Sequence, residues 1–544
     1  WLPFWAAFAT AVVLRFADLG ARPLHHDEGV NAWMVWKFIR GEAYRYDPAN
    51  FHGPFLFFYA WLPLRLFGLG DTVLRLLVAP VSALMLPLLL PLRRRLGVAG
   101  VTGAAWLLAV SPAFVYYGRD LIHETFLAFF TLAMVVCGSL YAETRRERWL
   151  MLAAVCLGLL PTIKETFVLT LGTLAVAGLA AWFWTSPGER DPMTPAWIRP
   201  RAVALALAVA AVVYVLFFTS FFIHWQGLFD SVRGLILWTR RGAGGDGHEK
   251  PWFYFLKLLW EFETATALCA LAGAGLAFWR RNGFGVLCAL WALGQLALYS
   301  AIPYKTPWLV VNILLPAALA AGVFFRELTG QVAEREPSTR ESSPPGPLSH
   351  LPPTPVPGEG ETSLDLPFSS SPGGGRLGDG RGGWGVRTPR ASRPAWLSPA
   401  ILALVALGLV WMGWRTVETS FLRHDDDALT LVYVPTTRQT RDLIATVEEA
   451  VARVPKGRRP EVRVFLPYSW PLPWYFRDLE GVGVWTEVQK RFADGDVVLV
   501  EGSQDPKLRP LMKDRYVRRR YELRPRTPVV LYVNERLNPP PSAP

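Results

Sequence analysis

Apolar runs broken by short polar stretches dominate the chain up to residue 325 and recur once more near residue 400. A helix needs roughly 17–25 mostly apolar residues to cross a hydrocarbon core about 30 Å thick, and these windows meet or approach that length. They predict about eleven spans, at 1–16, 74–92, 98–117, 121–141, 149–160, 166–184, 202–222, 262–279, 284–300, 308–325 and 396–414. The aromatic stretch 55–67 is short for a crossing and reads as a helix lying in the interface. From Asp425 onward the pattern changes to short apolar runs at 429–434, 462–466, 496–500 and 528–533, with a helical period over 440–453. Such alternation predicts a small α/β domain. The expected fold class is thus a polytopic α-helical membrane protein with a small C-terminal α/β domain: a transmembrane part at 1–326, a linker at 327–395, a last span at 396–415 and the domain at 420–544. The linker is dense in Pro, Gly and Ser and has few large apolar residues, so it cannot bury enough surface to fold alone.

Composition and charge agree with a membrane protein. The chain is 52% hydrophobic and 13% aromatic, with 24 Trp, too apolar for a soluble protein of 544 residues. A net charge of +12 would suggest nucleic acid in a soluble protein; here the cations cluster in short loops, and no nucleic-acid partner is expected. Arg93-Arg94-Arg95, Arg145-Arg146-Glu147-Arg148 and Arg280-Arg281 fall on one side when the spans alternate, which makes that side cytoplasmic. The loop at 21–54, a second loop at 223–251 and the C-terminal domain then face outward from the plasma membrane. Arg240-Arg241, in the second external loop, runs against this bias. Cys137, Cys156, Cys269 and Cys288 lie inside apolar windows without CxxC spacing, which argues against disulfides and a zinc cluster. The chain opens at Trp1 within an apolar run, from which no cleavable signal is read.

Candidate chemistry gathers at the outer ends of the spans. His25-His26-Asp27-Glu28 follows the first span, where a carboxylate touches water yet reaches a substrate held in lipid, the access a general base needs. The plainer reading is a solvated loop with Asp27 capping a helix. Asp120 and Glu124 are four apart and share a helix face beside Arg119, which serves equally as interfacial anchoring. Lys164 and Lys305 lie at outer junctions against the positive-inside bias; an anionic ligand, most simply a phosphate, explains them, as does snorkelling to the interface. His52 opens the interfacial helix and His248 closes the second external loop. With His26, Asp27 and Glu28 they supply the ligand types of a divalent metal site, or they orient a substrate; spacing does not choose between the two.

In order along the chain, Asp27-Glu28, His52-Gly53-Pro54, Ser111-Pro112 with Tyr117-Gly118-Arg119-Asp120, Thr162-Ile163-Lys164-Glu165 and Tyr304-Lys305-Thr306-Pro307-Trp308 resemble the GT-C membrane glycosyltransferases. The likeness is nearest the protein O-mannosyltransferase and aminoarabinose transferase branch, glycosyltransferase family 39, and within it the group of flippase activity-associated proteins. It covers about 1–326, and the run from Tyr468 to Tyr475 extends it into the C-terminal domain. The resemblance implies a GT-C fold, a polyprenyl-phosphate-linked sugar donor, an acceptor hydroxyl on a glycan, lipid or protein, and transfer with inversion on the external face. It makes Asp27 the base, Glu28 its support, and Glu124 the second acid with Asp120 as competitor. Arg119 becomes the basic residue before that acid, and Lys164 and Lys305 hold the donor phosphate, where cations stabilise the charge that grows as the glycosidic bond breaks. The group's name implies an alternative, a non-catalytic binder of lipid-linked glycan or a flippase partner. A transporter ranks last, since it places ionisable groups near mid-bilayer and these lie at loop junctions.

Overall fold

The computed structural model describes residues 1–185, 199–244, 247–330 and 397–537. The expected linker at 327–395 from residue 331 on, most of the inner loop at 186–201, Gly245-Asp246 and the last residues of the C-terminal domain lie outside these. Trp1–Ala333 and Ile401–Pro544 form one compact unit; of the second, Glu334–Ala400, the start of the last helix belongs to the described residues.

In the N-terminal part, α1 (Leu2–Phe16) leads to α2 (His26–Ile39), α3 (Phe55–Phe67), α4 (Asp71–Leu76), α5 (Ala79–Leu84) and α6 (Arg93–Ala109). There follow α7 (Pro112–Tyr117), α8 (His123–Thr144), α9 (Glu147–Ile163), α10 (Phe167–Trp184), α11 (Pro200–Phe218) and α12 (Gly227–Gly242). The bundle ends with α13 (Tyr254–Phe262), α14 (Thr264–Trp279), α15 (Gly283–Ala301), α16 (Val310–Leu328) and α17 (Leu397–Val417). Among the described residues, seven helical segments are long and apolar enough to cross a membrane; α13 and α14 reach that length only as a pair, bent by 106° between them. The further crossings expected from sequence are α1, α9 and the second half of the 39-residue segment Asp71–Ala109, which turns at Gly97 with φ 70°.

Local chemistry sets several helix starts. Ser111 accepts the Phe114 N–H at 3.2 Å with Pro112 in the first turn of α7, and Asn282 accepts the Gly285 N–H at 2.9 Å at the start of α15. Helix α16 is the buried centre of the bundle, packed against α6, α14 and α15. Lipid tails are as apolar as leucine, so such packing relies on close backbone approach through small residues. Gly100 of α6 faces Gly322 of α16, and Gly273 of α14 lies on the Ala320 carbonyl, where a Cβ would overlap the oxygen.

The C-terminal part holds a five-stranded sheet made of β1 (Val462–Phe465), β2 (Val482–Trp485), β3 (Val497–Glu501), β4 (Tyr516–Arg524) and β5 (Thr527–Asn534), ordered β2-β1-β3-β5-β4. β2, β1 and β3 run parallel, with Val462 opposite both Val482 and Val497; β5 pairs antiparallel with β3 and β4. Helix α18 (Gln439–Ala452) covers one face, burying Leu443 and Val447 against Val464, Leu499 and Leu531, while Phe465, Val498 and Val530 form the core of the other. α19 (Leu472–Tyr475) lies in the crossover between β1 and β2. The apolar run at 429–434 is not a strand. Leu429, Leu431 and Val432 join the apolar core of the helical bundle, and the Leu431 carbonyl accepts the Tyr117 hydroxyl at 2.6 Å, so a side chain replaces the sheet partner.

Gly273→Leu is expected to push α14 off α16 and lower the thermal midpoint of the detergent-solubilised protein, measured by size-exclusion after a temperature series. Gly275→Leu, where a Cβ meets nothing within 4 Å, should leave it unchanged.

Candidate active site

The loop at 21–54 is tied by a buried ion pair. His25 caps α2: its Nδ1 accepts the Asp27 N–H at 3.1 Å, while Glu28 accepts the His25 N–H at 2.9 Å, a reciprocal capping box. Both Glu28 oxygens also accept from Arg75 of α4, at 2.9 and 2.8 Å, and one accepts the Leu121 N–H at 3.2 Å. Arg75 further donates to the carbonyls of Leu19 and Arg22 at 2.8 Å and Pro23 at 3.1 Å. Burial pushes the Glu28 carboxyl up, but Arg75 and Arg22 outweigh it and hold it at about 2. The carboxylate is sealed from solvent, so Glu28, expected to support the base, is an anchor. Asp120 pairs with Arg22 in the same knot, and Arg119 donates to the carbonyls of Leu14 at 2.8 Å and Asp18 at 3.2 Å with its guanidinium over Phe421. These two expected substrate ligands fasten α1 to α7 instead.

Asp27, one helical position before Glu28, is turned the other way and is half-buried. Among the described residues its carboxylate has no hydrogen bond and no ion pair, yet its charge acts on His25, His26, Tyr304, Tyr433 and Arg524. The Asp27 N–H can only donate, so His25 Nδ1 is an acceptor and its Nε2–H donates to the Tyr433 carbonyl at 3.0 Å; burial keeps this imidazole neutral. The Tyr433 hydroxyl meets His248 Nδ1 at 2.5 Å, and His248 lies 5.0 Å from the Tyr304 ring. Burial lowers His26 to about 4, with Nδ1 3.3 Å from Arg524 on β4. Arg241, at the end of α12, stands over Phe51 and Tyr304, and Lys250 over Tyr433.

A second polar group adjoins this one through Tyr304 and Trp308. Lys164 pairs with Glu124 and lies 6.0 Å from the Trp308 ring centroid; His52 Nδ1 is 2.9 Å from Glu165, and its ring is 4.8 Å from that of His123. The Gly53 N–H donates to the Ile163 carbonyl at 3.2 Å, and a Cβ there would overlap the Thr162 carbonyl; a glycine after His52 lets the loop reach Glu165. Lys164, Glu124 and His52 thus lie in one polar group, with Glu124 paired to Lys164. Lys305 does not: it is buried, donating to the carbonyls of Lys250 and Ile302, and holds the second loop through the Glu249 and Tyr304 bridge.

The metal set of His26, Asp27 and Glu28 is not brought together, because Glu28 points into the knot; among the described residues no three His, Cys, Asp or Glu side chains are placed to hold an ion. Sequence reasoning missed Tyr433 and Arg524, which come from the C-terminal part and carry no local signal. It passed over Arg241, whose conflict with the charge bias was that signal.

Residues 51–216 match the model of the dolichyl-phosphate-mannose-protein mannosyltransferase family. The chain superposes on ArnT from Cupriavidus metallidurans bound to undecaprenyl phosphate with TM-score 0.58 and 16% identity, over 98% of this chain and 99% of that one. The apo state of that protein gives the same TM-score and identity, over 98% of each chain. The apo oligosaccharyltransferase of Archaeoglobus fulgidus matches at TM-score 0.48 and 13% identity, over 88% of this chain and 63% of that one. No curated protein sequence matches.

Arg75→Met is expected to cost about 3–5 kcal/mol by leaving Glu28 charged and unpaired, with part recovered by adding Glu28→Gln. Since folding lowers Glu28 from its ordinary 4.5 to about 2, its stabilisation is fully present above pH 4.5 and lost as pH falls toward 2. Thermal unfolding between these limits should show a decline that Glu28→Gln lacks.

The whole chain thus shares the fold of ArnT, a GT-C glycosyltransferase fold, and its segment 51–216 is similar to the dolichyl-phosphate-mannose-protein mannosyltransferase family.

Proposed function

We propose that this protein transfers a sugar from a polyprenyl-phosphate-linked donor to an acceptor hydroxyl, with inversion, on the external face of the membrane. The observation that carries the reading is Asp27, a half-buried carboxylate without a direct partner among the described residues, set among His26, His248, Tyr304, Tyr433 and Arg524. Glu28 and Glu124 are each neutralised by a cation, which leaves Asp27 as the base. The Asp27 carboxylate takes the acceptor's hydroxyl proton as the acceptor oxygen bonds to the anomeric carbon; the bond from that carbon to the phosphate oxygen breaks, and the phosphate leaves with the electron pair. One displacement with one base inverts the anomeric centre.

Cations stabilise this step most where the leaving phosphate gains charge. Arg241 and Lys250 border the site, with Lys164 behind Tyr304, and the bound undecaprenyl phosphate of the Cupriavidus protein supports a lipid phosphate as the ligand. The arginine clusters at 93–95 and 145–148 support an external site, since they mark the opposite side as cytoplasmic.

Purified protein in nanodiscs, given radiolabelled polyprenyl phosphate sugars, is expected to release or transfer sugar. Asp27→Asn should lower that rate by about 10²–10⁴-fold while donor binding persists. Binding without turnover in the parent would leave a lipid-linked-glycan binder in place of the transferase.

A further inference from the structure

Two helices outside the long spans carry apolar faces that no described residue covers. On α12, Phe229, Val232 and Ile236 form one stripe at helical spacing, 68%, 56% and 48% exposed. The opposite face is small and polar and is turned inward. Gly227 lies on the Phe218 carbonyl, Gly234 on the Tyr46 hydroxyl, Ser231 is 2.5 Å from the Tyr214 hydroxyl, and buried Asp230 accepts from Arg233 at 3.1 Å. A helix in water does the reverse. On α13, Phe253, Leu256 and Trp260 repeat the stripe, Trp260 at 73% exposure, while Tyr254, Phe255, Leu258 and Phe262 fill the core. The 106° bend sets α13 almost perpendicular to α14, the apolar helix that follows it.

The turn into α12 adds a separate observation. Ser220, Phe221 and Phe222 have φ of 49°, 56° and 71°, three successive left-handed residues without glycine. Such backbone is strained for residues with a side chain, and the turn holds both phenylalanine rings exposed. Water around those rings would add to the cost; lipid offsets it.

We propose that α12 and α13 are interfacial helices whose outward faces enter the leaflet bordering the site. The occupant is lipid because the turn at 219–226 joins α12 to α11, whose Leu205, Leu207 and Val212 are exposed in the same way on a membrane-length helix. Arg233 and Arg240 flank the stripe, as headgroup contact requires. An apolar crevice of about 410 Å³ between Phe58, Trp61, Phe221 and Ile223 extends the surface beside the turn. The last turn of α12 carries Arg241 over Tyr304, so the lipid surface supports a cation of the site. The inference stands on packing alone and does not depend on the reaction.

The test places a nitroxide on cysteines introduced at Val232, Ile236 and Leu256 of the full chain, in nanodiscs of phosphatidylcholine and phosphatidylglycerol. Glu449 of α18 is the aqueous reference. Relaxation by oxygen is expected to exceed that by a water-soluble nickel chelate at the three helix positions by at least about twofold, with the order reversed at Glu449. Nickel access at Val232 and Ile236 equal to that at Glu449 overturns the proposal, placing the face in water. Shielding from both reagents also overturns it, assigning the face to a protein partner.

Discussion

The Arg75 guanidinium donates to three backbone carbonyls and to both oxygens of Glu28, and Glu28 in turn accepts two backbone N–H groups, so one buried ion pair gathers the loop after α1, the start of α2, α4 and the segment before α8. Taking two charges out of water is costly and is compensated only when nearly every donor and acceptor is satisfied, as happens here. The arrangement specifies geometry. With Glu28 clamped, the first turn of α2 has one orientation, and Asp27, about 100° around the helix, points away from the clamp.

Two neighbouring carboxylates therefore do opposite things. Glu28 has every lone pair engaged, with one guanidinium across both oxygens, and it stays ionised in a closed pocket. Among the described residues Asp27 has no partner on its carboxylate oxygens, only a ring of aromatic and basic side chains at longer range. His25 connects the two, because its imidazole accepts the Asp27 N–H and donates to Tyr433, so the segment after the last span helps to hold the helix start. The C-terminal part is more than an appendage to the bundle: Tyr475 hydrogen-bonds both the Leu24 N–H and Asp71, and Pro471 rests on Gly29, where a Cβ would meet it.

The sequence was most legible where one residue type has one environment available to it. The spans follow from chain-wide hydropathy, and the strands at 462–466, 496–500 and 528–533 from short apolar runs, because burying such runs is the dominant favourable term. It was less legible where a polar residue has several partners to choose from. Arg119, Asp120 and Lys305 stand in motifs that point to a ligand, yet their donors and acceptors go to backbone carbonyls and to Arg22. The run at 429–434 shows the same limit in an apolar stretch, since membership of a sheet or of a bundle core depends on neighbours distant in the chain.

By itself, then, the sequence determined that the chain is a helical membrane protein with a small α/β domain, and that acids, histidines and lysines collect at the ends of its spans. Both follow from transfer free energies and helix length, which each segment carries without reference to the others. Only the tertiary structure decided which of those groups is free. Arg75 captures Glu28 across 47 positions, Lys164 captures Glu124 across 40, and Tyr433 and Arg524 arrive from more than 400 positions away; such pairing depends on distances that exist only after the chain has folded.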